Sequence, residues 1–255
     1  MFVDTHTHLD FDAFDEDREK VIQRAIENQV LAIITIGTDL ETSKQAILLA
    51  EKYASIYASV GIHPSDCAGA KDKDFDFIKE LAAHEKVVAI GEIGLDYYHM
   101  HAEKEMQAKA FEKQIRIARE LNLPMIIHNR DSHTDMLEIL NNEGIKEIGG
   151  VMHSFSGDLD FLDKIIALNM HVSFTGNITF KKSTSNELVK KAPVENMLLE
   201  TDCPFLTPVP LRGKRNEPAF IVHTAKKIAE IKEIELELLG KITSENAKSL
   251  FKLDI

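Results

Sequence analysis

The chain has no tryptophan, only two cysteines and seven prolines, and aromatic residues make up 7% of its 255 positions. Two cysteines, Cys67 and Cys203, cannot build the disulfide framework that staples small secreted domains, so reduced thiols are expected. Cys203 directly follows Asp202 and is expected to be a small buried residue rather than a metal ligand. No apolar run approaches the roughly 18 residues that a membrane span needs. The N-terminus passes from Met1 into an apolar segment containing Asp4, with neither a basic leader nor a small-residue cleavage site, so a cytoplasmic location is expected. No low-complexity tract, Pro/Ser-rich linker or internal repeat divides the chain, which reads as one domain over residues 1–255. Basic charge is also scarce. Thirty Lys and Arg face 42 Asp and Glu, a net charge of −12 that disfavours indiscriminate attraction to polyanions. A nucleic-acid partner would therefore need locally placed cations.

What is present is a hydrophobic content of 44%, enough for a large core, in an alternating pattern. The continuous apolar run Leu31–Gly37 is the kind of strand that a parallel sheet covered by helices requires, because neither face meets bulk water. Similar runs occur at 3–9, 56–61, 87–92, 124–128, 150–153, 171–174 and 197–200, with helical spacing between them. The final helices are expected near 218–231 and 235–251. Eight such strand-helix units in about 250 residues close most economically as a TIM-like (β/α)8 barrel, with an open doubly wound sheet as the alternative.

On that map the histidines and acids collect at strand ends. His6 and His8 are two apart, so an extended backbone points both to one side, whereas a helix would separate them by about 200°. His63 follows the third strand, Glu92 ends the fourth, His128 the fifth and His153 the sixth, and Asp202 follows the eighth. The C-terminal ends of barrel strands converge on one rim, where such folds place their chemistry. Four imidazoles and two carboxylates suit zinc or another first-row ion better than an all-oxygen site does. Six donors exceed what one catalytic zinc uses, so two divalent ions (Zn2+, Mn2+ or Mg2+) are expected. His6, His8, Glu92 and Asp202 would surround one ion and Glu92, His128 and His153 the other, with Glu92 as the bridge.

The segments Val3–Asp10, Gly61–Pro64, Gly91–Asp96, Leu123–Arg130, His153–Gly157, Leu199–Phe205 and Leu211–Pro218 together resemble the TatD family of metal-dependent deoxyribonucleases, within the amidohydrolase-like barrels. The resemblance spans the whole chain. It implies a TIM-like barrel, a metal pair on the same six residues, and hydrolysis of DNA phosphodiesters. It departs after Arg130, where Asp131-Ser132-His133-Thr134-Asp135 shifts the family's usual pattern of Thr or Ala followed by an acid.

Further roles follow from position. Asp202 is expected to accept the proton of the attacking water and Glu92 to join the two ions, while His63, not needed as a ligand, is expected to hold a phosphate oxygen. Arg130, two residues past His128 on the same face, offers a planar guanidinium to phosphate. Arg212, Lys214 and Arg215 are the local cations an acidic nuclease would need. Glu200, two residues below Asp202, reads as a support for the ligands with an unnamed partner. Tyr97, Tyr98, His99 and His101 form a loop suited either to stacking on unpaired bases, favouring single-stranded or frayed ends, or to packing on the barrel. DNA is the expected partner, without an obligate protein partner. The competing functions are hydrolysis of a small ester, amide or lactone on the same barrel, and metal binding without turnover.

Overall fold

The computed structural model describes all 255 residues. Its strands are β1 (Phe2–Thr7), β2 (Val30–Ile36), β3 (Ile56–Val60), β4 (Val87–Asp96), β5 (Met125–Arg130), β6 (Gly150–Met152), β7 (Met170–Phe174) and β8 (Met197–Leu199). The helices are α1 (Arg18–Glu27), α2 (Leu40–Lys52), α3 (Asp72–Leu81), α4 (Lys104–Leu121), α5 (His133–Glu143), α6 (Leu159–Ala167), α7 (Asn186–Lys191), α8 (Ile221–Lys232) and α9 (Leu236–Phe251). The strands run parallel in the order β1 to β8, one helix separating each from the next, as a nearly closed (β/α)8 barrel. Between β8 and β1 the ring is drawn together by a bridge of Thr7 with Cys203, with His8 N donating to Cys203 O at 2.8 Å and Asp202 N to His6 O at 2.9 Å.

Alternation along the strands sorts the core into two layers. Ile33, Ile90, Ile127, Met152 and Leu199 join the larger apolar cluster with helix residues such as Ala46, Phe111, Ile115 and Ile228. Their neighbours Ile34, Ala89, Ile126, Val151 and Leu198 face the other way, into a smaller cluster that Phe251 and Leu253 close from below. Two residues further along that inner face come His128, His153 and Glu200, so the lining turns from apolar to polar toward the C-terminal rim.

Two strands run further than the hydrophobic pattern predicts. β4 continues past Glu92 to Asp96, and β5 past His128 to Arg130, with Gly94 opposite His128 and Asp96 opposite Arg130. Gly94 makes this possible: its φ is +136°, and a Cβ there would lie 2.0 Å from the His128 carbonyl oxygen. β1, by contrast, ends at Thr7, so His8 is aimed by its backbone bond to Cys203 rather than by the strand itself.

Candidate metal centre

The rim gathers residues from six strand ends around the Glu92 carboxylate. Glu92 Oε1 lies 3.0 Å from His128 Nδ1, 3.1 Å from His153 Nε2 and 3.6 Å from His63 Nε2, and Oε2 lies 3.4 Å from His6 Nε2. Asp202 Oδ1 lies 3.5 Å from His8 Nε2 and 3.8 Å from His6 Nε2. Donors on a common cation with bonds of about 2.0–2.2 Å stand roughly 3–3.5 Å apart, so this spacing is that of ligand edges. The donor atoms of His6, His8 and Asp202 lie within 4.8 Å of one another, as do those of His63, Glu92 and His128.

Burial provides an independent test of whether a cation fits. His6 is fully buried, yet neither of its ring nitrogens has a hydrogen-bond partner, and His8 Nδ1 and His153 Nδ1 are likewise unpartnered. Several orphaned imidazole nitrogens in one buried cluster are costly unless something else satisfies them. A cation held between the imidazoles and carboxylates is the partner that this donor set suits.

The electrostatics have the same sense. Burial pushes the Glu92 carboxyl up, but His153, His63, His6 and the hydrogen bond with His128 outweigh it and hold the group well below its ordinary value. Burial likewise raises Asp202, and the bond with His8 and the charges of His6 and His153 bring it below the usual carboxylate range. Burial, with His153 beside it, lowers His6. Both acids therefore stay ionised and ready for a cation.

His63 sits at the edge of this cluster with its two nitrogens divided between tasks. The Ser65 amide donates to Nδ1 at 3.1 Å, which leaves the proton on Nε2, the nitrogen that faces Glu92. Burial drives its pKa down to about 3, so it is a neutral donor. Arg130 is exposed at the mouth, where it lines a cleft of about 170 Å³ with His128, His153, Ser154 and Asp202, its guanidinium 5.0 Å from the Tyr98 ring. Tyr98 is exposed, whereas Tyr97 turns away to donate to Asp135 Oδ2 at 2.7 Å. Asp135 belongs to the segment where the family pattern shifts, and that acid is occupied in holding the tyrosine.

The three cations expected after β8 part company. Arg215 donates to Asp17 Oδ2 at 2.8 Å and to the Ala13 carbonyl at 2.6 Å, which fixes it to the segment before α1. Arg212 lies over the Phe180 ring at 4.0 Å, and Lys214 is exposed. His8 also has aromatic neighbours: Phe11 stacks on it at 4.7 Å, and Phe205, 51% exposed, stands edge-on at 6.1 Å.

Supporting residues complete the site. Glu200 receives the Ser173 hydroxyl and the Ser154 amide, each at 2.6 Å, and its Oε1 is 3.5 Å from His153 Nδ1. Asp4 receives the Thr201 hydroxyl at 2.6 Å and amide at 2.9 Å, tying β1 to the segment that carries Asp202, and burial raises its pKa to about 8. Sequence reasoning missed Asp96, whose Oδ2 lies 3.1 Å from His128 Nε2 and 2.8 Å from His99 Nδ1. Its other oxygen accepts the Tyr98 and His99 amides at 3.0 and 2.8 Å. The signal was present, because Asp96 is four residues beyond Glu92, two same-face steps if the strand continues.

The chain matches the family described as TatD related DNase over residues 3–252. It is 46% identical, over all of both chains, to the uncharacterized metal-dependent hydrolase YabD of Bacillus subtilis. It is 35% identical to the 3'-5' ssDNA/RNA exonuclease TatD of Shigella flexneri, over 97% of this chain and 98% of that one. The solved structure of YjjV, a TatD homolog of Escherichia coli, superposes with a TM-score of 0.93 at 30% identity, covering 99% of this chain and 98% of that one. The likeness extends over nearly the whole sequence and to the barrel itself, and the chain belongs to the TatD related DNase family.

Proposed function

We propose that the protein hydrolyses phosphodiester bonds of single-stranded nucleic acid, DNA in the first place, from strand ends, as one barrel domain working in the cytoplasm. Two divalent cations, Zn2+, Mn2+ or Mg2+, would be held by His6, His8, Glu92, His128, His153 and Asp202. One observation carries this reading: a single buried carboxylate, Glu92, contacts four imidazoles from four strand ends, while nitrogens of the same cluster lack partners. When bound, such ions supply Lewis acidity toward phosphate and a water acidic enough to react near neutral pH.

The remaining chemistry belongs to the chain. Asp202, its side chain 13% exposed, is the carboxylate placed to accept the proton from the attacking water and pass it toward the leaving oxygen. Glu92, fixed by its imidazoles, holds the two halves of the site in register. His63 Nε2–H can donate to a phosphate oxygen, and Arg130 can clamp the phosphate from the mouth. The half-exposed Phe205 beside His8 offers a base an apolar face, which an unpaired strand can reach and a duplex cannot without fraying. The relatives named as metal-dependent hydrolases and as 3'-5' exonucleases of single-stranded DNA and RNA support the same substrate class.

Chelated protein should lose cleavage of end-labelled single strands and regain it with Mn2+, Mg2+ or Zn2+, cutting single strands faster than duplex and leaving simple ester and amide substrates largely untouched. Activity that is indifferent to chelation, or directed at the amide instead, refutes the proposal. Asp202→Asn, assayed at saturating metal, should lower kcat by about 10²–10⁴ with folding retained. Asp202 has φ +55°, and asparagine tolerates that left-handed backbone as well as aspartate does.

A further inference from the structure

A second cleft, roomier than the one at the metal-site mouth, lies apart from it. It has a volume of about 490 Å³ and is walled by Phe180, Lys181, Lys182 and the hydroxyl-bearing residues 183–185 on the β7–α7 connection, with Arg212 reaching in from the loop after β8. Its lining includes three cations and no carboxylate, in a chain whose net charge is −12. Arg212 lies over the Phe180 ring at 4.0 Å, so one face of the guanidinium is held while its edge remains available. Arg215, three residues on, shows the contrast, since its charge is already spent on Asp17.

The two loops that form the cleft are joined to each other. The Thr179 hydroxyl accepts the Val209 amide at 2.8 Å, and Gly176 packs so tightly against Leu206 and Pro208 that a Cβ would lie 2.2 Å from the Leu206 carbonyl oxygen. Leu206 also lines the metal-site mouth together with Asp202 and Arg130. Gly176, one residue before Asn177 of the cleft lining, thus packs directly on a residue of the metal-site mouth, so the segment that walls the cleft abuts the segment that borders the metal site.

We infer that this cleft is a second binding site, for the phosphodiester backbone of the same strand at phosphates beyond the one being cleaved. The inference rests on the nucleolytic reading of the metal site and adds to it a length dependence. Flexible ammonium groups, hydroxyls and a stacked guanidinium suit phosphates without reading bases, and a site displaced from the chemistry acts only on substrates long enough to reach it. A dinucleotide gains nothing from it.

The test is the pair Lys181→Ala and Lys182→Ala in the full-length protein. Both lysines are exposed and lie outside regular structure, and unchanged melting will confirm folding. For a long single strand, KM should rise on the order of tenfold, and the slope of log KM against log salt should flatten by about 1, with dinucleotide hydrolysis unchanged. Arg212→Ala should act in the same direction. A variant that handles long strands like the unmodified protein overturns the inference, as does equal loss on the dinucleotide. Binding of a fluorescent oligonucleotide to chelated protein reads the cleft separately from turnover, so absence of nuclease activity in the unmodified protein would defeat the functional reading without deciding this one. In that assay a base-free deoxyribose-phosphate chain should compete and polyglutamate should not. Equal competition by polyglutamate would mark the cleft as a general polyanion site and overturn the assignment to phosphodiesters.

Discussion

At the scale of single residues, the least obvious member of the site is Asp96. Its carboxylate faces His128 Nε2, so that ring presents Nδ1 to Glu92 and the centre, an orientation a neighbouring helper fixes by choosing the tautomer. Burial would raise the pKa of Asp96, but hydrogen bonds with His128 and His99 and with the His99 amide carry it far below the ordinary carboxylate value, so it is a full negative charge against the ring. Asp96→Asn keeps the turn bonds to the Tyr98 and His99 amides while removing that charge. It should weaken metal affinity about 10- to 100-fold, measured by chelator competition, with little change in the melting of metal-free protein. Unaltered affinity would make Asp96 a turn residue only. Glu200 is the counterpart on the other side of the site, bound by Ser173 and Ser154 behind His153.

At the scale of elements, the placing of Glu92 and Asp96 depends on how closely β4 approaches β5. Glycine at 94 is required on two counts, its positive φ and the contact a side chain would make with the His128 carbonyl. Gly94→Ala should destabilise the fold by about 3 kcal/mol or more and displace Glu92 and His128 together. Denaturant unfolding and metal content would report both effects.

The other seam, between β8 and β1, is reinforced outside the sheet by Arg24 on α1, which grips the buried Glu217 through two bonds of 2.8 and 2.6 Å, and by Arg215 on Asp17. Arg215 holds the Asp17 carboxyl below its usual range, so the stability this contributes is fully present above the unfolded value of about 4 and is lost as pH falls through the lower folded value. Both side chains remain partly exposed, which limits the contribution through solvent screening. Asp17→Asn should therefore cost about 1 kcal/mol or less at pH 7, and the difference in melting should close as the solution is acidified below about pH 4. A gap that persists at low pH would assign the effect to packing rather than charge.

At the scale of the whole molecule, the proposed ligands come from strands spread around the ring and can meet only when it is closed, so metal binding should be coupled to barrel stability. A cation present at a hundred times its Kd adds about 2.7 kcal/mol, which for a chain of this size is a rise in Tm of about 5–10 °C. Thermal melts with and without chelator would show it, and a shift no larger for the ligand-competent protein than for His6→Ala would refute the coupling. No helix is long and apolar enough to cross a membrane. The two thiols, Cys67 and Cys203, are both buried and free.

Periodicity by itself determined the eight strand-helix units and the rim location of His6, His8, His63, Glu92, His128, His153 and Asp202, because strand parity and covered parallel strands leave a local signature in residue order. It could not determine where a strand continues after its apolar run ends, which is why the extension of β4 from Glu92 to Asp96 was missed: Gly94 lets the strand go on only because His128 is alongside. Charge pattern likewise marked Arg212, Lys214 and Arg215 as equivalent. Only the tertiary structure separated Arg215, spent on Asp17, from Arg212, stacked on Phe180 beside Lys181 and Lys182, because whether a charge is free depends on partners far away in the chain.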